Sequence, residues 1–182
     1  MEFELLETER LFLRKLTPEV YDYIYSNYTD EECMLHLGLS SHEELEKEKE
    51  RYEKGLSAYD RTFVIFQLVI KESQEIIGMT GFVRFYPDHS RAELGYAMSK
   101  EEHKNKGYMF EATERIVQYG FESMNLNRME ALSGSNNIPS LKIIDKLGFK
   151  KEGHLKEHYC RGGIVEDSLI FALLKSEKRA SN

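Results

Sequence analysis

Hydrophobic and polar residues alternate along several segments of this chain, and this two-residue period predicts β-strands. Leu11 and Leu13, for example, alternate with Phe12 and Arg14 in a short first strand. The polar residues 71–75 separate two β-rich segments and predict a hairpin between them. The later strands are predicted at residues 62–70, 76–85, 91–98, 129–132, 149–159 and 165–174.

Other segments carry the start signals, stop signals and periodicity of α-helices. Thr17 followed by Pro18 predicts the start of a first helix, which passes through Tyr21 and Ile24. Three further helices are predicted: one over residues 43–54 with the capping-box pair Ser41 and Glu44, one from about Tyr108, and one from Pro139 to the stop signal Gly148. The mixed order of strands and helices predicts one α/β domain over residues 1–182, with a flexible tail at 176–182.

Composition narrows the class of protein. With 182 residues, 41% hydrophobic and 31% charged residues, the chain has the composition of a soluble globular domain. Its longest nearly apolar stretch, residues 63–70, is shorter than the roughly 20 residues of a membrane span. The first ten residues carry four Glu where a signal peptide would be basic and then apolar, so we expect a cytoplasmic protein.

Cysteine count and charge exclude further classes. Cys33 and Cys160 are far apart in sequence and lack the spacing of a zinc site, so neither a disulfide framework nor a metal is expected. The net charge of -7 disfavours binding to nucleic acid or an acidic membrane surface and favours cationic partners.

Two junctions between a strand and a helix carry the first chemical signals. In the first, Lys104 and Lys106 flank Gly107 just before a predicted helix, where free backbone N–H groups favour a phosphate; an ordinary basic loop is the alternative. In the second, Asn137 and Ser140 stand at the next helix start, where such residues are usually caps.

Taken together, these junctions resemble those of the GNAT family of acyl-CoA-dependent N-acetyltransferases. The similarity extends from Arg10-Leu11-Phe12-Leu13-Arg14 to Glu166-Asp167. Its phrases include Glu93-Leu94-Gly95-Tyr96, Lys106-Gly107-Tyr108, Asn137 to Ser140, and Leu147-Gly148-Phe149-Lys150. They are most similar to the ribosomal-protein N-terminal acetyltransferases of the RimJ and RimL type; spermidine acetyltransferases and some antibiotic-modifying enzymes are similar too. The resemblance implies a mixed, mostly antiparallel sheet that is splayed in the middle and flanked by about four helices.

The resemblance also implies a binding site for acetyl-CoA. The pyrophosphate would lie on backbone N–H groups at the start of the long helix, and the pantetheine arm would lie in the splay of the sheet. The implied cofactor-binding residues are Ala97, Met98, Lys104, Asn105, Lys106, Gly107, Tyr108, Met109, Asn137 and Ser140. Asn105 replaces a common glycine and can adopt a left-handed conformation, whereas Met109 replaces a small residue.

Catalytic roles follow less directly from the pattern. Many family members have a tyrosine acid seven residues after the position of Asn137, but this chain has Ile144 there. The RimJ and RimL branch commonly has an aliphatic residue at that position, and the resemblance to it implies that Ser140 is the partner of the departing thiolate. Glu93 is the predicted proton acceptor for the amine; its alternative role is an ion pair with Arg91 or Arg84.

A polar group near the end of the chain is predicted to face the acceptor. It consists of Glu157, His158 and Tyr159, and strand alternation predicts Glu157 and Tyr159 on one face of the sheet and His158 on the other.

These features predict an N-acetyltransferase that acts by direct attack of a bound amine on acetyl-CoA. The N-terminal α-amine of a protein or peptide is the favoured acceptor, because its pKa of about 8 eases deprotonation. A polyamine or an aminoglycoside is the alternative, and a non-catalytic acyl-CoA sensor is an alternative of another class. We expect a monomer or homodimer.

Overall fold

An eight-stranded sheet with helices on both faces forms the framework of the protein. The structure is a computed structural model that describes residues 4–53 and 62–180. The strands are β1 (Leu5–Glu7), β2 (Leu11–Leu16), β3 (Thr62–Ile70), β4 (Ile76–Tyr86), β5 (Arg91–Met98), β6 (Arg128–Gly134), β7 (Lys150–Arg161) and β8 (Ile164–Leu174). The helices are α1 (Pro18–Asn27), α2 (Asp30–Leu37), α3 (His42–Glu53), α4 (Tyr108–Glu122), α5 (Ile138–Lys146) and α6 (Lys175–Ala180).

The strand order is β1-β2-β3-β4-β5-β6-β8-β7, and β5 with β6 is the parallel pair of this sheet. These two strands pair at three positions only, from Arg91 with Arg128 to Glu93 with Glu130. Beyond Glu93 they separate. The prediction of a mixed, mostly antiparallel sheet that is splayed in its middle is therefore confirmed.

Two hydrophobic cores form on the two faces of the sheet. Leu13, Leu94 and Ile116 belong to the core beneath α4 and α5, which extends across the sheet from β2 to β8. Leu16 and Ile24 belong to a second core with α1, α2 and α3. Leu13 and Leu16 lie on opposite faces because they are an odd number of residues apart in one strand.

More helices form in the described residues than the sequence predicted. Helix α1 begins at the predicted cap, where Thr17 accepts a bond from the Val20 N–H. Helix α2 was missed although it has a capping box, in which Thr29 and Glu32 bond each other's backbone. Its apolar signal is weak because it buries only two residues, Cys33 and Leu37, among its eight.

The ends of the predicted elements are the least well determined by sequence. Helix α3 runs from His42 to Glu53, and the predicted last residue, Lys54, lies outside the described residues. The predicted tail overlaps α6 over residues 176–180, residues 181 and 182 lie outside the described range, and the mobility of the tail stays a prediction. No helix in the described part of the chain is both long enough and apolar enough to span a membrane.

Candidate active site

A cleft of about 810 Å³ opens where β5 and β6 separate. Its walls come from β5, β6, the first turn of α5 and the far end of the β7–β8 hairpin. Alternation along β5 places Leu94 and Tyr96 on the face covered by α4 and α5, and Glu93 on the opposite face. The cleft therefore presents two different sets of side chains, one toward each face of the sheet.

The two sets differ in the elements that supply them. We call the first set the helix side. Its cleft-lining members are Tyr96, Asn137 and Ser140, and we group with them the turn at residues 104–109 before α4, which does not itself line the cleft. The second set is the hairpin side. Glu93, Tyr159 and Ser168 line the cleft, and we group with them Arg84, which pairs with Glu93, and His158, which contacts Ser168.

The turn before α4 exposes backbone donors on the helix side. Asn105 and Gly107 both have left-handed backbone conformations, with φ of 60° and 82°, as the sequence predicted for Asn105. Gly107 is the N-cap of α4 and has no side chain to satisfy the first N–H groups of the helix. These donors, at the positive end of a 15-residue helix, suit an anion such as a phosphate.

Arg10 supports this turn, although the sequence pattern did not predict a role for it. Its guanidinium lies 4.5 Å from the centre of the Tyr108 ring, donates to the Lys106 carbonyl at 3.0 Å and pairs with Glu111 at 2.7 Å. Burial opposes ionisation of Glu111, but hydrogen bonds from Thr8 and Arg10 outweigh it and hold the pKa of that carboxyl below its usual range. The only sequence signal for this role of Arg10 was its basic side chain directly before β2.

Two residues predicted to bind the phosphate, Lys104 and Met109, have side chains that are already engaged elsewhere. Lys104 forms an ion pair with Glu101, so part of its charge is already compensated. Met109 packs into the core beneath α4, so it offers the turn its backbone rather than its side chain. The larger residue at this position is accommodated by the core.

Two hydroxyl groups on the helix side of the cleft are in hydrogen-bond contact. Tyr96 Oη lies 2.8 Å from Ser140 Oγ, and both residues line the cleft. Asn137 caps α5 and accepts a bond from the Ser140 N–H at 3.3 Å. Burial raises the pKa of the Tyr96 phenol and the bond to Ser140 opposes this rise, so the phenol stays protonated near neutral pH.

The structure also gives the positions of the other residues that the sequence predicted near the helix side. Ala97 and Met98 pair with Met79 and Gly78 of β4 and lie just beyond the cleft-lining part of β5. Ile144 is 1% exposed and packs in the core, so its side chain does not line the cleft.

Glu93 is the central carboxylate of the hairpin side. It is 13% exposed and forms an ion pair with Arg84 at 2.5 Å, whereas Arg91 pairs with Glu130. The Arg84 guanidinium also interacts with the hydroxyl of Tyr159, and its pKa is raised chiefly by the bond to Glu93. Of the two ion-pair partners foreseen for Glu93, the structure selects Arg84.

A bulge in β7 shapes the rest of the hairpin side. Leu155 pairs with Ser168 and Tyr159 with Glu166, so three residues of β7 stand opposite Asp167. Glu157, in this bulge, has a φ of 49°, and its N–H donates to Asp167 Oδ1 at 2.8 Å. The other carboxylate oxygen of Asp167 lies 2.6 Å from His154 Nε2.

The predicted alternation of residues 157–159 is wrong because of this bulge. His158 Nδ1 lies 3.1 Å from Ser168 Oγ, and the His158 ring contacts the Tyr159 ring with centroids 4.9 Å apart. Ser168 and Glu166, the partner of Tyr159, lie on one face of β8 because they are two residues apart. His158 and Tyr159 are therefore directed to the same side.

One cluster of possible metal ligands lies outside the cleft and was not foreseen. Glu75, Glu102 and His103 bring ligand atoms within 4.8 Å of one another in the described part of the chain. Lys100 bonds Glu75 in the same cluster, so a cationic group already occupies one carboxylate oxygen.

Comparison with known proteins identifies the family. The sequence profile described as an acetyltransferase (GNAT) domain matches residues 10–150. The chain belongs to the GNAT acetyltransferase family. The uncharacterized N-acetyltransferase p20 of Bacillus licheniformis is 34% identical over 176 residues, which cover 96% of this chain and 98% of that protein.

Two further proteins are similar to this chain, one in sequence and one in fold. The [ribosomal protein uS5]-alanine N-acetyltransferase of Escherichia coli is 30% identical over 109 residues, or 59% of this chain and 56% of that enzyme. The fold is similar to that of the spermidine/spermine N-acetyltransferase SpeG from Vibrio cholerae, with a TM-score of 0.71 and 21% identity over 95% of this chain and 97% of the other. The GNAT protein described here is accordingly an N-acetyltransferase, and its family uses acetyl-CoA as the acetyl donor.

Proposed function

We propose that this GNAT enzyme acetylates the N-terminal α-amine of a protein or peptide by direct attack on acetyl-CoA within a ternary complex. The observation that carries the proposal is the cleft between β5 and β6, which has the hydroxyls of Tyr96 and Ser140 on one face of the sheet and the carboxylate of Glu93 on the other. Two substrates can therefore enter from opposite faces of the sheet and meet in it.

The helix side fits the donor. Uncapped N–H groups at residues 105–109 would hold the pyrophosphate, with Lys104 and Lys106 adding positive charge. The β5 backbone at Ala97 and Met98 and the side chains of Asn137 and Ser140 would flank the pantetheine arm. This arrangement holds the thioester in place and contributes to catalysis mainly by orientation.

The hairpin side fits an amine. Glu93 accepts a proton from the amine, directly or through water, so that the neutral nitrogen attacks the acetyl carbonyl carbon. A backbone N–H of β5 stabilises the oxyanion, the carbon–sulfur bond then breaks, and Ser140 donates a hydrogen bond to the departing thiolate.

The part of the cleft at the end of the β7–β8 hairpin favours an α-amine over a polyamine. Carboxylates at Glu166 and Asp167 line it beside the apolar residues Ile164 and Val165, which are 66% and 54% exposed. A peptide N-terminus brings both an amine and a side chain that can cover such apolar surface, whereas a polyamine offers only methylene segments between charges. The Escherichia coli relative is named for an alanine of a ribosomal protein, and the Vibrio cholerae neighbour for polyamines.

A thiol-release assay tests the proposal. The enzyme is incubated with acetyl-CoA and one of three acceptors: peptides with a free N-terminus, spermidine, or an aminoglycoside. We expect free CoA with peptides, and none with the same peptides when their α-amine is already acetylated. If CoA is released faster with spermidine or the aminoglycoside than with peptides, that compound is the acceptor instead of the peptide. Binding of acetyl-CoA without release of CoA with any acceptor would indicate a sensor. The monomer or homodimer expected from the sequence stays a prediction.

A further inference from the structure

The contact between Tyr96 and Ser140 joins β5 to the start of α5 on the helix side of the cleft. Tyr96 comes from β5 and Ser140 from the first turn of α5, 44 residues later in the chain. Tyr96 Oη lies 2.8 Å from Ser140 Oγ and 3.3 Å from the Ser140 carbonyl oxygen. Both residues line the cleft where β5 and β6 have separated, and Ser140 is otherwise buried.

The chemistry of two hydroxyls decides how this pair can work. A serine hydroxyl has one proton and two lone pairs, so it can accept one hydrogen bond while donating another. Tyr96 Oη approaches two oxygens of Ser140, the carbonyl oxygen and Oγ. The phenol proton can therefore be donated to either of them. When the phenol donates to Ser140 Oγ, the serine proton must point elsewhere, and the cleft is the open direction.

We infer that Tyr96 is a positioning residue for the leaving group: it donates to Ser140 Oγ and so directs the serine O–H into the cleft, toward the sulfur that departs. This inference rests on the proposed function. As the carbon–sulfur bond breaks, its electron pair stays on sulfur, the serine O–H donates a hydrogen bond to the thiolate, and the amine proton goes to Glu93. No proton leaves Tyr96.

A purely structural role for Tyr96 makes a different prediction. If its hydroxyl only braces β5 against α5, its loss widens the cleft and slows all acetyl donors alike. If it acts through Ser140, its loss matters only when the leaving atom needs a hydrogen bond and only when Ser140 is present. The chemistry of the leaving atom and the presence of Ser140 are therefore the two variables to change.

The experiment is a double-mutant cycle measured with two donors. Wild type, Tyr96→Phe, Ser140→Ala and the double variant are assayed with acetyl-CoA and with its selenium analogue, whose selenol is a stronger acid and leaves more easily. With acetyl-CoA we expect kcat to fall about fivefold in Tyr96→Phe and about 30-fold in Ser140→Ala. With acetyl-CoA, the kcat of the double variant should equal that of Ser140→Ala within about twofold. With the selenium donor, the kcat of each single variant should be within about twofold of the wild-type value.

Tyr21→Phe is the matched control. Tyr21 is buried, donates to Glu48 at 2.9 Å and lies in the second core, away from the cleft. Its loss should lower the melting temperature and leave the ratio of the two donors unchanged. Because that ratio is taken within each variant, partial loss of folded protein cancels from it.

Several results would overturn the inference. Equal losses with both donors, or a further fivefold loss when Tyr96→Phe is added to Ser140→Ala, would leave Tyr96 a brace. An unchanged kcat in Tyr96→Phe would leave its hydroxyl without a role in turnover. A wild type that releases neither thiol nor selenol with any acceptor would instead overturn the proposed function, and the role of Tyr96 with it.

Discussion

The two sides of the cleft are built by different means. The helix side combines the turn before α4, with its uncapped backbone N–H groups, and the cleft-lining residues Tyr96, Asn137 and Ser140. The hairpin side consists of side chains held by the ion pair of Glu93 with Arg84 and by a three-residue bulge around Asp167. The first depends on local backbone geometry, and the second on contacts between distant segments.

The two sides also differ in how firmly they are anchored. Met109 and Ile144, in α4 and α5, are buried in the larger core. Tyr159 and Ile164, at the far end of the hairpin, are 45% and 66% exposed. Packing therefore fixes the half of the site proposed for the invariable donor. In the half proposed for the acceptor, the exposed residues at the end of the hairpin can change at little cost in stability.

The largest effect is expected at the turn before α4. Gly107→Val should weaken acetyl-CoA binding by at least about 100-fold, since it puts a branched side chain where the N–H groups must meet the pyrophosphate. The φ of 82° also strains any residue with a Cβ atom. Isothermal titration calorimetry with CoA measures the affinity, and thermal unfolding with and without CoA measures the stabilisation.

Gly148→Val separates these two causes. Gly148 has a similar φ of 89°, and a Cβ there would meet no atom within 4 Å, so the variant suffers the same backbone strain without a clash. It should lose stability but keep its affinity for CoA. A folded Gly107→Val that binds CoA normally, or an equal loss of affinity in both variants, would contradict the assignment of the helix side.

A smaller effect, on turnover alone, is expected on the hairpin side. Glu93→Gln should lower kcat about 100-fold at neutral pH and leave the affinity for acetyl-CoA unchanged, because the carboxylate acts on the amine. Initial rates of thiol release and calorimetry on the same preparation give both values.

Arg84→Gln tests whether the ion pair, rather than the carboxylate, matters. It breaks the same pair and keeps Glu93, so its loss of turnover should be far smaller. Arg84 is 42% exposed, and such pairs contribute at most about 1 kcal/mol to folding. Equal losses of turnover in the two variants, together with equal falls in melting temperature, would show that Glu93 has a structural role only.

The smallest effect should come from the bulge. Asp167→Ala removes the acceptor for the Glu157 N–H and the partner of His154, so His158 and Tyr159 lose their fixed positions. We expect the KM for the acceptor to rise about five-fold and the KM for acetyl-CoA to stay the same, as measured by steady-state kinetics.

Glu152→Ala is the control in the same hairpin. Glu152 pairs with Arg128 outside the cleft, so its loss should change neither KM. If Asp167→Ala raised the KM for acetyl-CoA as much as that for the acceptor, the two sides of the cleft would not be independent.

The features that could be predicted from sequence are those with a local cause. Thr17 caps α1, Asn105 and Gly107 form a left-handed turn, and Asn137 caps α5, each through bonds within a few residues. The strands that frame the cleft were predicted from alternation, and the splay from family resemblance. The part of the chain proposed to bind the donor is therefore recognisable from short stretches of sequence.

The features that were missed or wrong depend on contacts across the sheet. Arg10 reaches the turn before α4 from 96 residues away, and Tyr96 meets Ser140 across 44 residues. The bulge that directs His158 and Tyr159 to one side follows from the pairing of β7 with β8. Alternation within a strand predicts faces only while the pairing is regular.

The sequence by itself thus determined the order of most strands and helices, the capped starts of α1 and α5 and the glycine turn before α4, because backbone hydrogen bonding and side-chain period act over a few residues. The tertiary structure alone decided which charged groups became partners, where Tyr96 meets Ser140 and how the hairpin presents its side chains. Those outcomes depend on packing between segments far apart in the chain, and local sequence rules carry no information on that packing.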